Sequence, residues 1–364
     1  MMKILWLAPN FNHYKARFLN HLAEENGINL TILSGTGRDN MGDEELHTQW
    51  SFKQLKVNVS KKDFGNSKVV KQELKNVFGN FDWILIPAEK KNLPLFLYAK
   101  NLRKKNSGVK LFSYNHPILK SGNGKITFID KVLTKFYYKS FDRVIFYTHK
   151  SCDWAVENKL INSKKAYWAN NTIDNTEVEK FYTFQLPPEN ETRIVFIGRL
   201  IASKKIEVLI EYIQKLKRTI PDLKLDIIGD GPEKAIVEHA LKENEDIYWH
   251  GTLVDEAKIA PIMKKASLVF IPGHSGLSIN HAFAYGRPYV TLEGPSHAPE
   301  LEYIEEGSNG FVLKEDVDAN VSKIENLLVN RGVLEQFCEN AKLKGMDLSV
   351  QNWVQQIKTS LLDE

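Results

Sequence analysis

Short apolar runs alternate with longer amphipathic stretches along the whole chain. The runs are rich in Ile, Val, Leu and aromatic residues, as buried β-strands are, and the stretches between them carry apolar residues at helical spacing. Strands that alternate with helices predict an α/β fold with a mostly parallel, doubly wound sheet. The predicted strands lie at 3–8, 28–33, 82–87, 109–114, 143–147, 165–170, 192–198, 223–229, 246–251, 267–272, 288–293 and 310–313.

The alternation is interrupted at 183–192. This segment, TFQLPPENET, has two prolines and no apolar periodicity, which indicates a linker. We therefore expect two Rossmann-like domains, at 1–182 and 183–347, and 364 residues suit two domains of ordinary size. The last helix-like stretch, at 348–364, is predicted to cross back onto the first domain, because the second has no further strand for it to cover.

Composition indicates a globular protein in a reducing compartment. Hydrophobic residues make up 43% and charged residues 26% of the chain, which is typical of soluble domains. Two cysteines, Cys152 and Cys338, form neither a disulfide framework nor a metal cluster. The first apolar run is too short to span a membrane and soon turns polar, so we expect a cytoplasmic protein.

The positive charge is concentrated in the first half of the chain. Residues 1–180 hold 29 Lys and Arg against 17 Asp and Glu, whereas the remainder holds 20 against 28. Such a basic half could attract an anionic membrane surface or a nucleic acid. Lysines spread over several elements are equally typical of a solvated surface.

One basic stretch, at 124–143, also carries many apolar and aromatic residues. It predicts a helix that packs on the sheet, or one whose basic, aromatic surface contacts an anionic membrane from its inner face. The apolar positions at helical spacing are Ile126, Ile129, Val132, Leu133, Phe136 and Tyr137.

Glycine-rich turns follow several predicted strands of the second domain. In a parallel sheet such turns lie along one edge, where ligands bind. The turn at 272–281 opens a helix predicted to begin near Ser275, and the free N–H groups of a helix start suit a phosphate. An arginine and a lysine beside the first turn add positive charge. The candidate residues are Gly198, Arg199, Lys204, Gly229, Gly251, Thr252, Leu253, Ser275, Gly276 and Leu277.

Several motifs within 192–315 together resemble a known family. They are similar to the C-terminal domain of family 4 retaining glycosyltransferases, which have the GT-B fold. The motifs are, in order, IGRL followed by Lys204, IIGDGP, HGTL, ASLVFIP, AFAYGRPYV and PELEYIEEGSNGFVL. In the first half the likeness is looser and rests on KILWLAP, NHP and NNTID. The resemblance implies two Rossmann-like domains facing a cleft, a nucleotide-sugar donor in the second, an acceptor in the first, and metal-independent transfer with retention, without a cofactor.

The resemblance also implies roles for single residues. Arg199 and Lys204 match the pair that neutralises the donor diphosphate, and Gly276 and Leu277 match residues whose amides touch it. Residues 251–253 match the family's segment that binds the base, and His116 matches a histidine that lies near the donor sugar. Asn12 and Tyr14 stand where the family usually has a glycine pair.

Two positions depart from the family pattern. The family usually carries two glutamates eight positions apart, one near the sugar and one on the ribose, where this chain has Gly273 and His281. A neutral imidazole can hold one ribose hydroxyl but lacks the two acceptor atoms of a carboxylate. We predict that the ring of His281 points toward the ribose and not into the core, in a divergent donor pocket.

The residue pattern supports neither a metal site nor another kind of active site. Asp316-Val317-Asp318 precedes a late helix and is predicted to cap it, and the histidines show no metal-ligand spacing. We therefore expect no metal.

These observations predict transfer of a hexose-type sugar to a glycan or lipid-linked acceptor in the synthesis of a surface polysaccharide or glycoconjugate, without a nucleic-acid partner. Two alternatives remain. A nucleotide-sugar epimerase on the same fold would need carboxylates around the sugar. A non-catalytic nucleotide-sugar-binding subunit would bind the donor without turnover.

Overall fold

The chain divides into two compact units. The computed structural model describes residues 1–36, 49–118, 126–294, 297–314 and 316–362. The polar, glycine-containing segment 35–49 is predicted from the sequence to be a loop, and most of it lies outside the described residues, as does the start of the stretch 124–143. One unit is Met1–Asn171 with Val350–Glu364, and the other is Thr172–Ser349. The predicted division after residue 182 is thereby corrected, because Val178 and Tyr182 are buried in the core of the second unit.

The described part of the first unit contains one sheet of seven parallel strands. Its elements are β1 (Met2–Ala8), α1 (His13–Glu24), β2 (Ile28–Ser34), β3 (Lys53–Lys56), α2 (Lys68–Val77), β4 (Trp83–Leu85), α3 (Leu93–Lys105), β5 (Lys110–Asn115), α4 (Phe128–Ser140), β6 (Arg143–Phe146), α5 (His149–Glu157) and β7 (Ala166–Trp168). The strands lie in the order β3-β2-β1-β4-β5-β6-β7, so the direction of winding reverses between β1 and β4.

The edge strand β3 has no counterpart among the predicted strands. Its four residues, KQLK, are mostly exposed and carry no alternation of apolar and polar positions. It forms because its backbone pairs with β2, with Lys53 opposite Thr31 and Lys56 opposite Ser34. Lysines on an exposed edge strand also discourage pairing with other chains.

The second unit repeats the architecture with six parallel strands in its described residues. Its elements are α6 (Asn175–Glu179), β8 (Arg193–Ile197), α7 (Ile206–Leu216), β9 (Lys224–Ile228), α8 (Lys234–Glu243), β10 (Ile247–Trp249), α9 (Glu256–Lys265), β11 (Leu268–Phe270), α10 (Ser278–Ala284), β12 (Tyr289–Leu292), β13 (Gly310–Leu313), α11 (Val317–Val329) and α12 (Arg331–Asp347). The strand order is β10-β9-β8-β11-β12-β13. Residues 299–306, which the sequence pattern predicts to be helical, instead contain a 3₁₀ turn, Pro299–Tyr303.

The final helix, α13 (Val350–Leu362), belongs to the first unit. Its Trp353 is 1% exposed and packs edge-on against Phe18, with ring centroids 4.7 Å apart. The indole N–H of Trp353 donates to the hydroxyl of Tyr114 at 3.2 Å. This aromatic cluster covers the face of the first sheet on which α1 also lies.

Helix α4 packs on the sheet through a different face from the one the sequence pattern predicts. Asp130, Thr134, Tyr137 and Tyr138 are buried, whereas most of the predicted apolar stripe is exposed to solvent. The stripe follows the helical period, but the neighbours of α4 offer polar partners that its polar face satisfies. None of the helices in the described residues is long and apolar enough to cross a membrane.

Candidate functional site

The candidate residues of the second unit lie where its sheet changes its direction of winding. The strand order reverses between β8 and β11, which are neighbours in the sheet. Gly198 and Arg199 follow the carboxyl end of β8, and Gly273 and Gly276 follow that of β11. In open α/β sheets the crevice at such a switch point is the usual ligand site.

Glycines allow the loops at this edge to pack backbone against backbone. A Cβ on Gly229 would lie 1.9 Å from the carbonyl oxygen of Gly198, and one on Gly273 would lie 2.0 Å from that of Ser203. Gly229 also has φ +139°, which disfavours a side chain. Because no side chain fits at Gly229 or Gly273, the turns after β8, β9 and β11 form one continuous backbone surface. Any side chain at position 273 would require a shift of the 203–204 backbone.

Lys204 lies in the crevice with its ammonium group partly desolvated. A 3₁₀ turn, Ala202–Lys204, connects β8 to α7 and aims the side chain back across the turn. Nζ donates to the carbonyl oxygen of His274 at 2.5 Å and lies 3.8 Å from where a Cβ on Gly198 would be. Burial lowers the pKa of Lys204 to about 8. The protonated amine is therefore held at a cost that a nearby anion would offset.

Arg199 is a second cation in the same turn. Its side chain is half-buried and makes no ion pair with any residue in the described ranges. Two other arginines of this unit have partners: Arg193 contacts Glu191 and Asp226, and Arg287 is fully buried among carbonyl oxygens. The switch point thus concentrates positive charge that the described residues do not neutralise.

The turn before α10 presents backbone N–H groups to the same edge. The helix is shorter than predicted and begins at Ser278, so the amides of Gly276 and Leu277 precede it. In the described part of the chain neither amide donates a hydrogen bond. Two such N–H groups beside two cations are suited to an anionic ligand such as a phosphate.

Ser275 supports this turn from below. It is fully buried, and its N–H donates to Nδ1 of His297 at 3.2 Å. Its hydroxyl contacts Thr291 Oγ1 and the carbonyl oxygen of Gly273, both at 3.1 Å. Its polar groups thus hold the turn in place, and the predicted ligand contact of Ser275 stays a prediction.

No sequence motif identifies His297. Its Nε2 lies 2.8 Å from the carbonyl oxygen of Leu292, so Nε2–H donates there and Nδ1 accepts from Ser275. Burial lowers its pKa, which favours this neutral tautomer. A single histidine outside any motif gives no signal, and only the fold brings it beside the 275–277 turn.

The predicted base-binding segment, 251–253, follows β10. Gly251 has φ +64°, and its carbonyl oxygen accepts a hydrogen bond from the Gly229 N–H at 2.7 Å. Thr252 is exposed and Leu253 is half-buried against the core. This segment therefore lies beside the glycine turn after β9, with an accessible hydroxyl and an apolar side chain.

His281 is largely buried, and the predicted direction of its ring toward a ribose stays a prediction. The residue is 8% exposed, and its Nε2 lies 2.9 Å from Oε1 of Glu256. The hydroxyl of Tyr285, one turn later in the chain, donates to the other oxygen of Glu256 at 2.6 Å. A carboxylate from α9 thus stands beside the imidazole of His281. Contact of His281 with a ribose stays a prediction.

Glu256 could not be identified from sequence spacing. It lies in the first turn of α9 and is separated from His281 by the whole of β11 and its flanking turns. Its side chain is 11% exposed. A glutamate early in a helix is typical of a terminal turn, so only the tertiary contact distinguishes it.

His116 belongs to the first unit and follows β5. It is exposed, and its ring lies edge-on to Tyr147, with centroids 4.9 Å apart. Its carbonyl oxygen accepts a hydrogen bond from the Tyr138 hydroxyl at 2.9 Å, which ties the loop to α4. In the same unit Asn12 caps α1 by accepting from the Lys15 N–H, a structural role at the position where the sequence suggested a ligand contact.

The described residues contain no group of three or more His, Cys, Asp or Glu side chains that could hold a metal ion. Asp316 caps α11 by accepting from the Ala319 N–H at 3.0 Å, and Asp318 pairs with Lys215. The predicted capping role of the DxD segment is confirmed.

Comparisons with known proteins agree with this architecture. Residues 191–330 match the family model described as glycosyl transferases group 1. An uncharacterized glycosyltransferase of Haemophilus influenzae is 23% identical over 221 residues, which are 57% of this chain and 61% of the relative. Sulfoquinovosyl transferase SQD2 of Arabidopsis thaliana is 26% identical over 146 residues, 39% of this chain and 28% of the relative. Both matches span less than two thirds of the relative's length.

Among solved structures, Anabaena HepE in complex with UDP superposes with a TM-score of 0.72 at 14% identity, and 99% of each chain is covered. The chain therefore has the GT-B fold, with two parallel sheets flanked by helices. The family match to the second unit, which contains the switch-point cations, supports a glycosyltransferase.

Proposed function

We propose that this protein is a metal-independent, retaining glycosyltransferase that moves a hexose-type sugar from a nucleotide donor to a glycan or lipid-linked acceptor. The observation that carries the proposal is the pair Arg199 and Lys204 at the switch point of the second sheet. Both cations lack an acidic partner in the described residues. Both follow β8, at the sheet edge that also carries the turn with Gly276 and Leu277 after the neighbouring strand β11.

The chemistry follows from where charge develops in the reaction. When the bond between the sugar and the nucleotide breaks, negative charge builds on the leaving diphosphate. Preorganised cations and N–H groups lower the barrier because they need no reorganisation as that charge appears. Arg199 can donate through its planar fork, and Lys204 acts as a point charge. These two side chains supply the role that a divalent ion plays elsewhere.

The structurally similar proteins suggest which nucleotide base and which sugar the donor carries. HepE has been solved with UDP and with UDP and glucose, so UDP and UDP-glucose are the first compounds to test on this chain. The exposed Thr252 and the apolar Leu253 would contact the base, and the role of His116 near a donor sugar stays a prediction. Synthesis of a surface polysaccharide or glycoconjugate is the proposed setting.

The pair of His281 and Glu256 shapes the proposed ribose contact. Because Glu256 accepts from Nε2–H of the imidazole, Nδ1 is left as an acceptor, and the carboxylate stands 2.9 Å behind the ring. A ribose hydroxyl that donates to Nδ1 would find an anchor whose orientation is fixed by Glu256. In this proposal a histidine held by a carboxylate from α9 takes the role that the resemblance gives to a glutamate at position 281.

A donor screen followed by turnover tests the proposal. Thermal unfolding is measured with UDP, GDP, dTDP and their sugars, since a ligand raises stability according to its affinity. Release of free nucleotide from the stabilising donor is then measured. Arg199→Ala and Lys204→Ala should each lower kcat/KM by about 10²–10³-fold, as loss of one preorganised donor does. Arg218→Ala, which removes an exposed arginine of the same unit, is the control.

The outcomes separate the proposed enzyme from its alternatives. Wild-type turnover by Arg199→Ala would contradict the diphosphate clamp. Donor binding without nucleotide release, in the presence of glycan and lipid-linked acceptors, would identify a non-catalytic binding subunit. Interconversion of two sugars on an intact donor would identify an epimerase.

A further inference from the structure

The exposed face of α4 carries a concentrated apolar stripe. Phe128 is 80% exposed, Ile129 73%, Val132 51% and Phe136 43%, and Ile126 just before the helix is 37% exposed. Five of the large apolar side chains exposed in the described chain thus fall within eleven consecutive residues. Single exposed apolar residues are ordinary, whereas a contiguous group marks an interaction surface.

The stripe lies opposite the face through which α4 is anchored. At about 100° per residue, Phe128, Ile129, Val132 and Phe136 cluster on one side of the helix. The other side holds Asp130, which is 1% exposed, makes an ion pair with Lys90 and completes a capping box with Thr127. Because this polar anchor fixes the rotation of the helix, the apolar stripe cannot turn inward.

Lysines border the stripe on both sides. Lys131, Lys135 and Lys139 follow one another at four-residue spacing along one flank of α4 and are all exposed. On the other flank Lys100 of α3 lies over the ring of Phe136, with Nζ 5.0 Å from the centroid. We name the stripe and these four lysines the α4 surface.

Acidic residues are almost absent from this region. Across the whole of α3 and α4 the one acidic residue is Asp130, which is buried and paired. Asp142, just after α4, pairs with Arg103 at 2.8 Å. The α4 surface therefore carries a net positive charge beside exposed apolar groups.

We propose that the α4 surface binds an anionic lipid membrane, with the helix lying in the plane of the interface. Apolar side chains would enter the boundary between headgroups and acyl chains, and the bordering lysines would contact anionic headgroups. A second copy of this chain is a poorer occupant, because two cationic surfaces would repel each other. The inference does not depend on the proposed transferase chemistry, since lipid binding requires neither donor nor turnover.

Vesicle sedimentation with the full chain tests this surface. The probes are vesicles of phosphatidylcholine alone and of phosphatidylcholine mixed with phosphatidylglycerol. The wild-type chain should bind the anionic vesicles at low salt and bind less as salt rises, because screening weakens the lysine contacts. Phe128→Ser with Ile129→Ser should reduce binding at least tenfold. Lys131→Glu with Lys135→Glu should reduce it similarly and remove most of the salt dependence.

Matched controls come from the second unit. Val329→Ser with Leu343→Ser removes two apolar side chains that are 61% and 62% exposed, and Lys234→Glu with Lys242→Glu makes the same charge change on α8. Both controls should bind as the wild type does. Thermal unfolding of every variant checks that the fold is kept.

Three results would overturn the proposal. They are absence of wild-type binding to anionic vesicles at low salt, equal binding to both kinds of vesicle, and unchanged binding by both α4 variants. Self-association of the wild-type chain that the Phe128→Ser with Ile129→Ser variant abolishes, without lipid binding, would assign the surface to a second copy instead.

Discussion

Helices α4 and α7 share a sequence pattern but turn their apolar stripes in opposite directions. In each, apolar residues recur every three or four positions. Helix α7 turns Leu209 and Ile213 into the core, where each is at most 1% exposed, whereas α4 turns Ile129 and Val132 outward. Helical periodicity therefore shows that a stripe exists, and the neighbours of the helix decide whether that stripe faces the core.

The neighbours differ in chemistry. Helix α7 lies against aromatic and aliphatic side chains, and its Tyr212 packs edge-on to Phe270 with centroids 5.3 Å apart. Helix α4 stacks Tyr137 on Phe96, with centroids 4.3 Å apart, but it also meets polar groups. Asn115 donates to the Tyr138 hydroxyl at 2.9 Å, and the Tyr137 hydroxyl donates to the Glu89 carbonyl oxygen at 3.1 Å. A buried polar group left unpaired is costly, so these bonds outweigh burial of the apolar stripe.

The largest test of this contrast removes an apolar side chain from each helix. Leu209→Ala should lower the free energy of unfolding by about 2–5 kcal/mol, because it leaves a cavity in a packed core. Val132→Ala should change it by no more than about 0.5 kcal/mol, because that side chain is half exposed. Urea unfolding measures both, and equal losses would show that the α4 stripe is packed in solution.

A second test concerns the polar face of α4. Tyr138→Phe removes the hydroxyl that accepts from Asn115 and donates to the His116 carbonyl oxygen, both at 2.9 Å. We expect a loss of about 1–3 kcal/mol in the free energy of unfolding, since two buried groups lose a partner. Tyr248→Phe, on a ring that is 37% exposed, is the control and should be close to neutral. Equal stability of both variants would mean that packing alone holds α4.

The smallest effect is a pH dependence in the turn before α7. Burial lowers the pKa of Lys204 to about 8, below its ordinary value of 10.5. The folded chain therefore binds fewer protons than the unfolded chain between these values, and stability without ligand should rise with pH across that window. Binding of a nucleoside diphosphate should instead weaken severalfold between about pH 7 and pH 9, as the ammonium loses its proton.

Calorimetric titration with UDP at several pH values measures this dependence. Lys204→Arg should flatten it, because a guanidinium stays protonated throughout. A wild-type affinity that does not change over the range would remove Lys204 from the proposed diphosphate contact while leaving Arg199 untouched.

Much of the fold follows from local pattern. The alternation of apolar runs and helical stretches predicts both doubly wound sheets, because a strand or helix buried on a known face must repeat apolar residues at its own period. Gly198, Gly229 and Gly273 lie at strand ends in the sequence, and parallel strands bring such ends to one edge. The sequence pattern alone therefore assigns Arg199 and Lys204 to that edge.

Contacts between distant segments could not be predicted in this way. The strand β3 has no apolar pattern and exists because β2 offers it a backbone partner. Glu256 meets His281 across α9 and α10, and Asp130 meets Lys90 across 40 positions of sequence. Hydrogen bonds and ion pairs of this kind depend on where two elements lie in space. The sequence around one residue of such a pair does not indicate which residue its partner is.

The sequence by itself thus determined the two-sheet architecture and the charged, glycine-lined edge of the second sheet, because periodicity and strand polarity are local properties. The tertiary structure decided that His281 is held by a carboxylate, that Ser275 supports its turn, and that α4 presents its apolar stripe outward. In each of these cases the deciding cost was that of leaving a buried polar group without a partner, and that partner came from elsewhere in the chain.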